Sequence, residues 1–244
     1  MCLMDREYAL NYTNLYRNHW WWRAREILLL QILESVLLRR DTTNASVLDI
    51  GGGEGLFMEK LSQFGSVHAC DPLLSADIET EYGPVFAASV DRTDIFPDQR
   101  YDLTLLLDVI EHVEDDVALL SQARRVTKKG GIVFVTVPAY QSLWTAHDDV
   151  NHHYRRYNPE QLRTSLDRAS LDVEWIGALF GWPALVKLVM NNVGKFLDIP
   201  FRGSSIPVPI INRFLTLITI LEGRGMIRFG TKWGSSLFAV CSAR

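Results

Sequence analysis

The sequence predicts an α/β protein built on a doubly wound, largely parallel sheet. Three observations predict it. Short apolar runs alternate with helix-spaced segments from residue 46 onward. Several of those runs are continuously apolar, as strands buried on both faces are. The first of them ends in a cluster of glycines, at the strand end where such sheets bind ligands.

Each element follows in order. Residues 5–40 read as helix, with Tyr8, Tyr12 and Tyr16 at four-residue spacing and a Leu/Ile-rich stretch over 27–38. Asp41 to Ala45 is a polar break. "SVLDI" (46–50) reads as a buried strand, and 55–64 as a helix closed by Gly65. "SVHAC" (66–70), "PVFAA" (84–88) and "YDLTLLLD" (101–108) read as the next strands. A helix over 114–127 starts with three acids, which favour the positive end of a helix dipole. "KKGG" reads as a turn before the strand "IVFVTVP" (132–138). Asn158-Pro159 opens a helix with a cap and a first-turn proline. A sixth strand is expected at 172–178, and "WGSSLFAVCSAR" is expected to return to the sheet as the last one.

Composition narrows the class. The chain has 244 residues, 48% hydrophobic and 22% charged, with net charge −4. These values exclude disorder and low complexity and suit a folded soluble protein. Cys2, Cys70 and Cys241 form no CxxC pair, so neither a zinc ribbon nor a disulfide scaffold is expected. A reducing compartment and a cytoplasmic location follow as expectations. No stretch reads as a signal peptide or a bilayer span. Charge is unevenly spread: residues 177–244 carry eight Lys/Arg against two acids, a net +6, leaving −10 on the first 176.

"VLDIGGGEG" (47–55) is a strand, a glycine turn and a helix start. Asp71, at the end of the next strand, stands where a carboxylate can accept ribose hydroxyls. A nucleoside cofactor is implied. The dinucleotide pattern G-x-G-x-x-G is broken at Leu56, and no triphosphate loop is present.

"VLDIGGGEG", "HACDP", "YDLTLLLDVIEHVEDD" and "KKGGIVFVTVP" together resemble the successive motifs of class I S-adenosylmethionine-dependent methyltransferases. The resemblance implies a Rossmann-like, seven-stranded sheet in the order 3-2-1-4-5-7-6 with strand 7 antiparallel. It also implies S-adenosyl-L-methionine as cofactor and S-adenosyl-L-homocysteine as product. By position, Gly51, Gly53 and Gly55 shape the methionine pocket, Asp49 supports the loop, Asp71 holds the ribose, Val90 and Asp91 meet the adenine, and Asp108 faces the methionine part and the acceptor. "HWWWRAR" (19–25) and "HDDVNHHYRRY" (147–157) resemble the HWWFxxR and HDxxxxHxRRY patterns of a bacterial subgroup, with Trp22 for Phe and His152 for Gly. Members of that subgroup are associated with glycan or lipid-linked glycan pathways.

Residue chemistry gives a second account of these stretches. Residues 1–45 are expected to form a helical lid over the cofactor, with Arg25 (or Arg23) reaching the cofactor carboxylate and Trp21 a candidate acceptor contact. The core is expected at 46–180 plus 234–244. In "HDDVNHHYRRY", histidines can move a proton near neutrality, and Arg155 and Arg156 can grip a phosphate or carboxylate. Candidate bases are His153, then His147, then His112; Asp148, Arg155, Arg156 and Tyr157 are candidate acceptor contacts. No metal is called for, although Asp108, Glu111 and His112 form an alternative metal set. The acceptor is expected to be a small molecule or a lipid-linked glycan, anionic, methylated on oxygen or nitrogen. Nucleic acid is disfavoured by the acidic first 176 residues. A non-catalytic, cofactor-binding regulatory module is the competing class. Residues 181–233, apolar and basic, are expected either to cap the acceptor pocket or to touch a membrane surface.

Overall fold

The computed structural model describes residues 13–197 and 205–244, the side chains of 192–197 excepted. Residues 5–12 of the expected first helix, Cys2 and Arg202 lie outside these. The elements are α1 Trp20–Arg39, β1 Ala45–Ile50, α2 Met58–Leu61, β2 Gly65–Cys70, β3 Ile78–Thr80, β4 Gly83–Phe86 and β5 Tyr101–Leu107. They continue as α3 Asp116–Val126, β6 Thr127–Pro138, α4 Ala146–Val150, α5 Pro159–Arg168, β7 Leu171–Leu179, α6 Gly181–Leu197, α7 Pro209–Phe229 and β8 Ser236–Ala243.

The sheet has eight strands in the order β3-β4-β2-β1-β5-β6-β8-β7. The expectation of seven is corrected. Ile78–Thr80 adds an antiparallel edge strand outside β4, because Gly83 allows the chain to turn back on itself at φ 137°. Strands β4, β2, β1, β5 and β6 are mutually parallel, and β8 runs antiparallel between β6 and β7. The carboxyl ends of β1, β2, β5 and β6 therefore share one edge.

Two apolar layers clamp the sheet. One face carries α3 and α5, with Leu120, Ala123, Leu162 and Leu166 fully buried. The other carries α1, whose Leu28, Leu29, Ile32, Leu33 and Val36 pack on Val47, Leu105 and Phe134. The buried face of residues 28–37 in the expected lid is thus core, while the start of α1 reaches the carboxyl edge. Its spacing of buried positions, three and four apart, is that of a helix lying on a sheet.

Local chemistry moves several boundaries. The first helix is broken at His19, which sits in extended backbone (ψ 135°) and accepts from Trp21 N to cap α1. The expected 55–64 helix shrinks to one turn, Met58–Leu61, followed by a 3-10 turn. The glycines before it keep the chain out of helical geometry, with Gly51, Gly53 and Gly55 all at positive φ. The expected "KKGG" turn lies inside β6, which pairs with β5 from Thr127 onward. Asp115 caps α3 through Ala118 N at 2.9 Å, and Asn158 with Gln161 forms a reciprocal cap on α5.

The start of α1 meets α6 and α7. Trp20 N donates to Asn212 Oδ1 of α7 at 2.8 Å, and Asn212 Nδ2 donates to Asn18 O at 2.7 Å. Trp20 stacks on Trp182 of α6 with centroids 5.2 Å apart. A Cβ on Gly223 would lie 2.4 Å from Leu28 Cδ1, so a residue without a side chain is what lets α7 approach α1 this closely.

Candidate active site

Four strand ends build the site. After β1, Gly51 N and Gly52 N donate to Cys70 O, folding the glycine loop against β2. A Cβ on Gly53 would meet nothing within 4 Å, so this side of the loop opens to a ligand. Asp71, ending β2, accepts from Gly53 N at 3.1 Å and from Leu73 N at 2.9 Å. A loop with left-handed glycines, an open face and a carboxylate fixed against it fits a nucleoside cofactor. Val90 is buried below this edge and Asp91 is exposed.

Asp108 follows β5 at φ 59°, a conformation that costs a non-glycine residue energy and is tolerated where function needs it. Arg25 reaches it from α1: the guanidinium donates to Asp108 Oδ2 at 2.8 Å and Thr136 Oγ1 at 3.2 Å, and Thr136 Oγ1 donates to Asp108 Oδ1 at 3.0 Å. Arg25 also lies over the Trp21 and Trp22 rings. Arg25, expected from sequence to reach the cofactor carboxylate, is paired here with Asp108. Trp21 itself packs on Phe180. Burial pushes the Asp49 carboxyl up to about 7, against the pull of Arg25.

The segment after β6 forms the other half. Asp148 is fully buried and accepts from Arg156 Nε at 2.8 Å and Nη2 at 2.9 Å, from Thr145 N at 2.8 Å and from Thr145 Oγ1 at 3.1 Å. His153 Nδ1 stands 2.8 Å from Asp148 Oδ1. The Arg156, His153 and Thr145 donors hold the Asp148 carboxyl well below the usual carboxylate range, outweighing burial. Arg156, expected to grip an anion, is instead 4% exposed, with Nη1 donating to Ala139 O. It supports Asp148. Tyr157, also expected at the acceptor, is buried and donates to Asp116. Arg156 and Tyr157 carry the internal contacts that their burial requires, while the partly exposed Arg155 pairs with Glu114 O and Asp116.

The His153 ring lies edge-on to His112 at 4.6 Å and to Trp144 at 6.4 Å. Burial and His153 lower the pKa of His112. Burial and Lys187 push His147 down to about 4. Trp144 lines a cleft of about 540 Å³ with Thr145, Asp149, Leu188 and Asn191, between this segment and α6.

Glu111 is fully buried, and neither carboxylate oxygen has a hydrogen-bond partner. Burial and Asp108 raise its pKa well above the usual range. Glu111, His112 and His153 bring ligand atoms within 4.8 Å of one another. The alternative metal set named from sequence is corrected here, with His153 replacing Asp108. Asp108 is turned instead to Arg25 and Thr136.

Sequence reasoning missed Lys187 and Thr136. Lys187 is the one charge in the apolar run 182–190 and turns inward, where burial and Arg156 bring its pKa down to about 8. Thr136 is the one hydroxyl in "IVFVTVP". A lone polar residue in an apolar stripe was the available signal for both.

Comparison with known proteins decides the family. A methyltransferase domain model matches residues 21–175. The chain belongs to the methyltransferase domain family. Its members use S-adenosylmethionine. Among curated relatives, the ubiquinone biosynthesis O-methyltransferase of Hydrogenovibrio crunogenus is 26% identical over 140 residues, 51% of this chain and 58% of that protein. That of Rhodopseudomonas palustris is 33% identical over 98 residues, 36% of this chain and 38% of that protein. The chain thus spans well under two thirds of these relatives' length. That of Rickettsia bellii is 25% identical over 209 residues, covering 72% and 86%. Among solved structures, an S-adenosylmethionine-dependent methyltransferase of Thermotoga maritima matches over the whole of both chains at TM-score 0.58 and 16% identity. The chain solved with the Trm112 methyltransferase activator of Haloferax volcanii matches at TM-score 0.60 and 16% identity, covering 99% and 97%. At such identities the likeness speaks for the fold alone.

Proposed function

We propose that the enzyme methylates a hydroxyl oxygen of an anionic acceptor, a small molecule or a lipid-linked glycan, with His153 as general base. One observation carries this reading: the Asp148–His153 contact of 2.8 Å at the acceptor side of the carboxyl edge. A carboxylate that accepts from Nδ1–H fixes the tautomer and leaves Nε2 as the proton-accepting nitrogen. Arg156 and Thr145 keep Asp148 ionised and still. When bound, S-adenosylmethionine supplies a methyl group on a cationic sulfur that leaves as a neutral thioether. The glycine loop, Asp71 and Asp49 would hold it, with Arg25–Asp108 closing over it. The chain's remaining task is to align the acceptor oxygen and remove its proton. Lys187, a partly desolvated cation facing this region, supports an anionic acceptor. The names of the curated relatives support oxygen over nitrogen.

The test is product analysis with methyl-labelled cofactor against matched hydroxyl and amine acceptors. His153→Gln should lower kcat by about 10²–10⁴ and leave cofactor affinity unchanged. A nitrogen-methylated product, or unchanged kcat, would overturn the reading.

The orphaned Glu111 carboxylate favours a second reading. Glu111, His112 and His153 would hold a divalent cation, which would lower the acceptor hydroxyl's pKa in place of a base. Both roles cannot fall on the same His153 nitrogen. Calorimetry of magnesium or zinc binding to the protein and to Glu111→Gln separates them: no binding to the wild type removes the metal.

A further inference from the structure

Helix α7 is inside out. Its buried positions are Asn212, Thr216, Thr219, Gly223 and Met226, and the first four carry no apolar side chain. Its outward positions, two residues before each of those four, are Ile210, Phe214, Leu217 and Leu221, all exposed, Ile210 by 78%. The usual arrangement for a helix on a folded domain is the reverse. The inward polar residues have work: Asn212 clamps Asn18 and Trp20, Thr219 accepts from Trp182 Nε1, and Gly223 admits Leu28. Among the described residues the outward side chains make no such contact. Leu185 and Val189 of α6 are exposed likewise. Contiguous apolar surface of this kind marks a site that something else covers.

Charge says what covers it. Arg213, Arg224, Arg228 and Lys232 are exposed on or just after α7. The one acid among residues 205–233, Glu222, is turned inward and accepts from Trp182 N. The exposed charges on and just after α7 are therefore all cationic. A second copy seated on the same face would oppose like charges, which disfavours pairing. An anionic lipid surface instead complements both the apolar stripe and these cationic charges. No helix among the described residues is long and apolar enough to cross a membrane.

We propose that the outward face of α6 and α7 seats the enzyme on an anionic bilayer surface. The helix then lies in the headgroup plane, with Phe214 and Leu217 entering the acyl boundary and the arginines meeting lipid phosphates. Because α6 also lines the acceptor cleft through Leu188 and Asn191, seating brings the cleft mouth to the lipid. Only that last consequence rests on the acceptor reading above; surface binding does not.

The experiment is flotation of the full chain with vesicles of phosphatidylcholine alone or mixed with phosphatidylglycerol, at low and high salt. Cofactor affinity and sedimentation velocity are measured on the same samples. The wild type should float with the mixed vesicles, less so at high salt, and remain at the bottom with phosphatidylcholine. Phe214→Asp with Leu217→Asp, and separately Arg213→Glu with Arg228→Glu, should each cut the floated fraction about tenfold or more. Both variants should keep wild-type cofactor affinity, since they alter exposed side chains outside the site. A wild type that stays at the bottom throughout overturns the proposal. So does flotation that neither variant weakens. A stable dimer that the Phe214 variant breaks also overturns it, assigning the face to a second copy. Loss of methyl transfer with intact flotation would count against the reaction assigned above and not against the surface.

Discussion

Asp148→Asn is the most informative perturbation of the site. The side chain is fully buried and accepts five hydrogen bonds, two of them from Arg156. Asparagine keeps the shape but removes the charge and turns an NH₂ toward donors. The guanidinium, whose side chain is 3% exposed, then stays buried beside a neutral amide. Breaking a buried pair from one side costs roughly 3–5 kcal/mol. Total stability is typically about 5–15 kcal/mol, so the loss should be plain in urea denaturation followed by tryptophan fluorescence. The double variant Asp148→Asn with Arg156→Met removes the stranded charge and should regain a large part of the loss, a non-additivity that identifies the pair. The pH sign follows from the direction of the shift. Asp148 is held below its ordinary value of 3.8, so the stabilisation is present above that pH and lost as pH falls through the lower folded value. Wild type and Asp148→Asn should converge in strong acid. A loss under about 1 kcal/mol at pH 7, or additivity in the double variant, would refute the reasoning, since the buried charge would then be compensated elsewhere.

Other outcomes follow from the same geometry. Arg25→Ala should weaken S-adenosylmethionine binding by about five- to thirtyfold in calorimetry, because Asp108 loses its partner at the cofactor edge. In the cofactor-free protein, burial raises the Asp49 pKa to about 7 from 3.8, so wild-type stability should fall as pH rises between those values. Asp49→Asn should flatten that slope in denaturation curves taken across the range. Gly223→Leu should destabilise by about 1–3 kcal/mol or more through overpacking against Leu28, outweighing any gain in helix propensity. Its melting temperature should drop while Gly225→Leu, at a position with open space, is tolerated.

What the sequence made legible was whatever depends on local period or on a motif at a strand end. Asp71, Asp108 and the glycine loop were found this way, since strand, turn and acid lie within one stretch of chain. The outcome differed where a residue's role is set by a distant partner. Arg156 read as an anion grip because nothing local shows that Asp148 lies beneath it. Glu111 read as one letter of a motif, and only burial shows its carboxylate without a partner. The edge strand β3 escaped notice because three residues carry no period. The C-terminal helices were recognised as apolar and basic, but which side faced out depended on contacts made by α1, nearly two hundred residues away.

That distance has a consequence for how the chain is made. Strand β8 follows β7 in the chain yet lies between β6 and β7 in the sheet, and β7 has no other neighbour until β8 arrives. The clamp between Trp20 and Asn212 likewise joins α1 to α7, far apart in the chain. A nascent chain can assemble β1, β2, β4 and β5 in passing, yet it cannot finish the acceptor side until residues 209–243 have left the ribosome. Contacts so far apart in sequence slow folding and leave apolar surface exposed meanwhile. A chain halted before β8 therefore holds six strands in one sheet and leaves β7 without a neighbour.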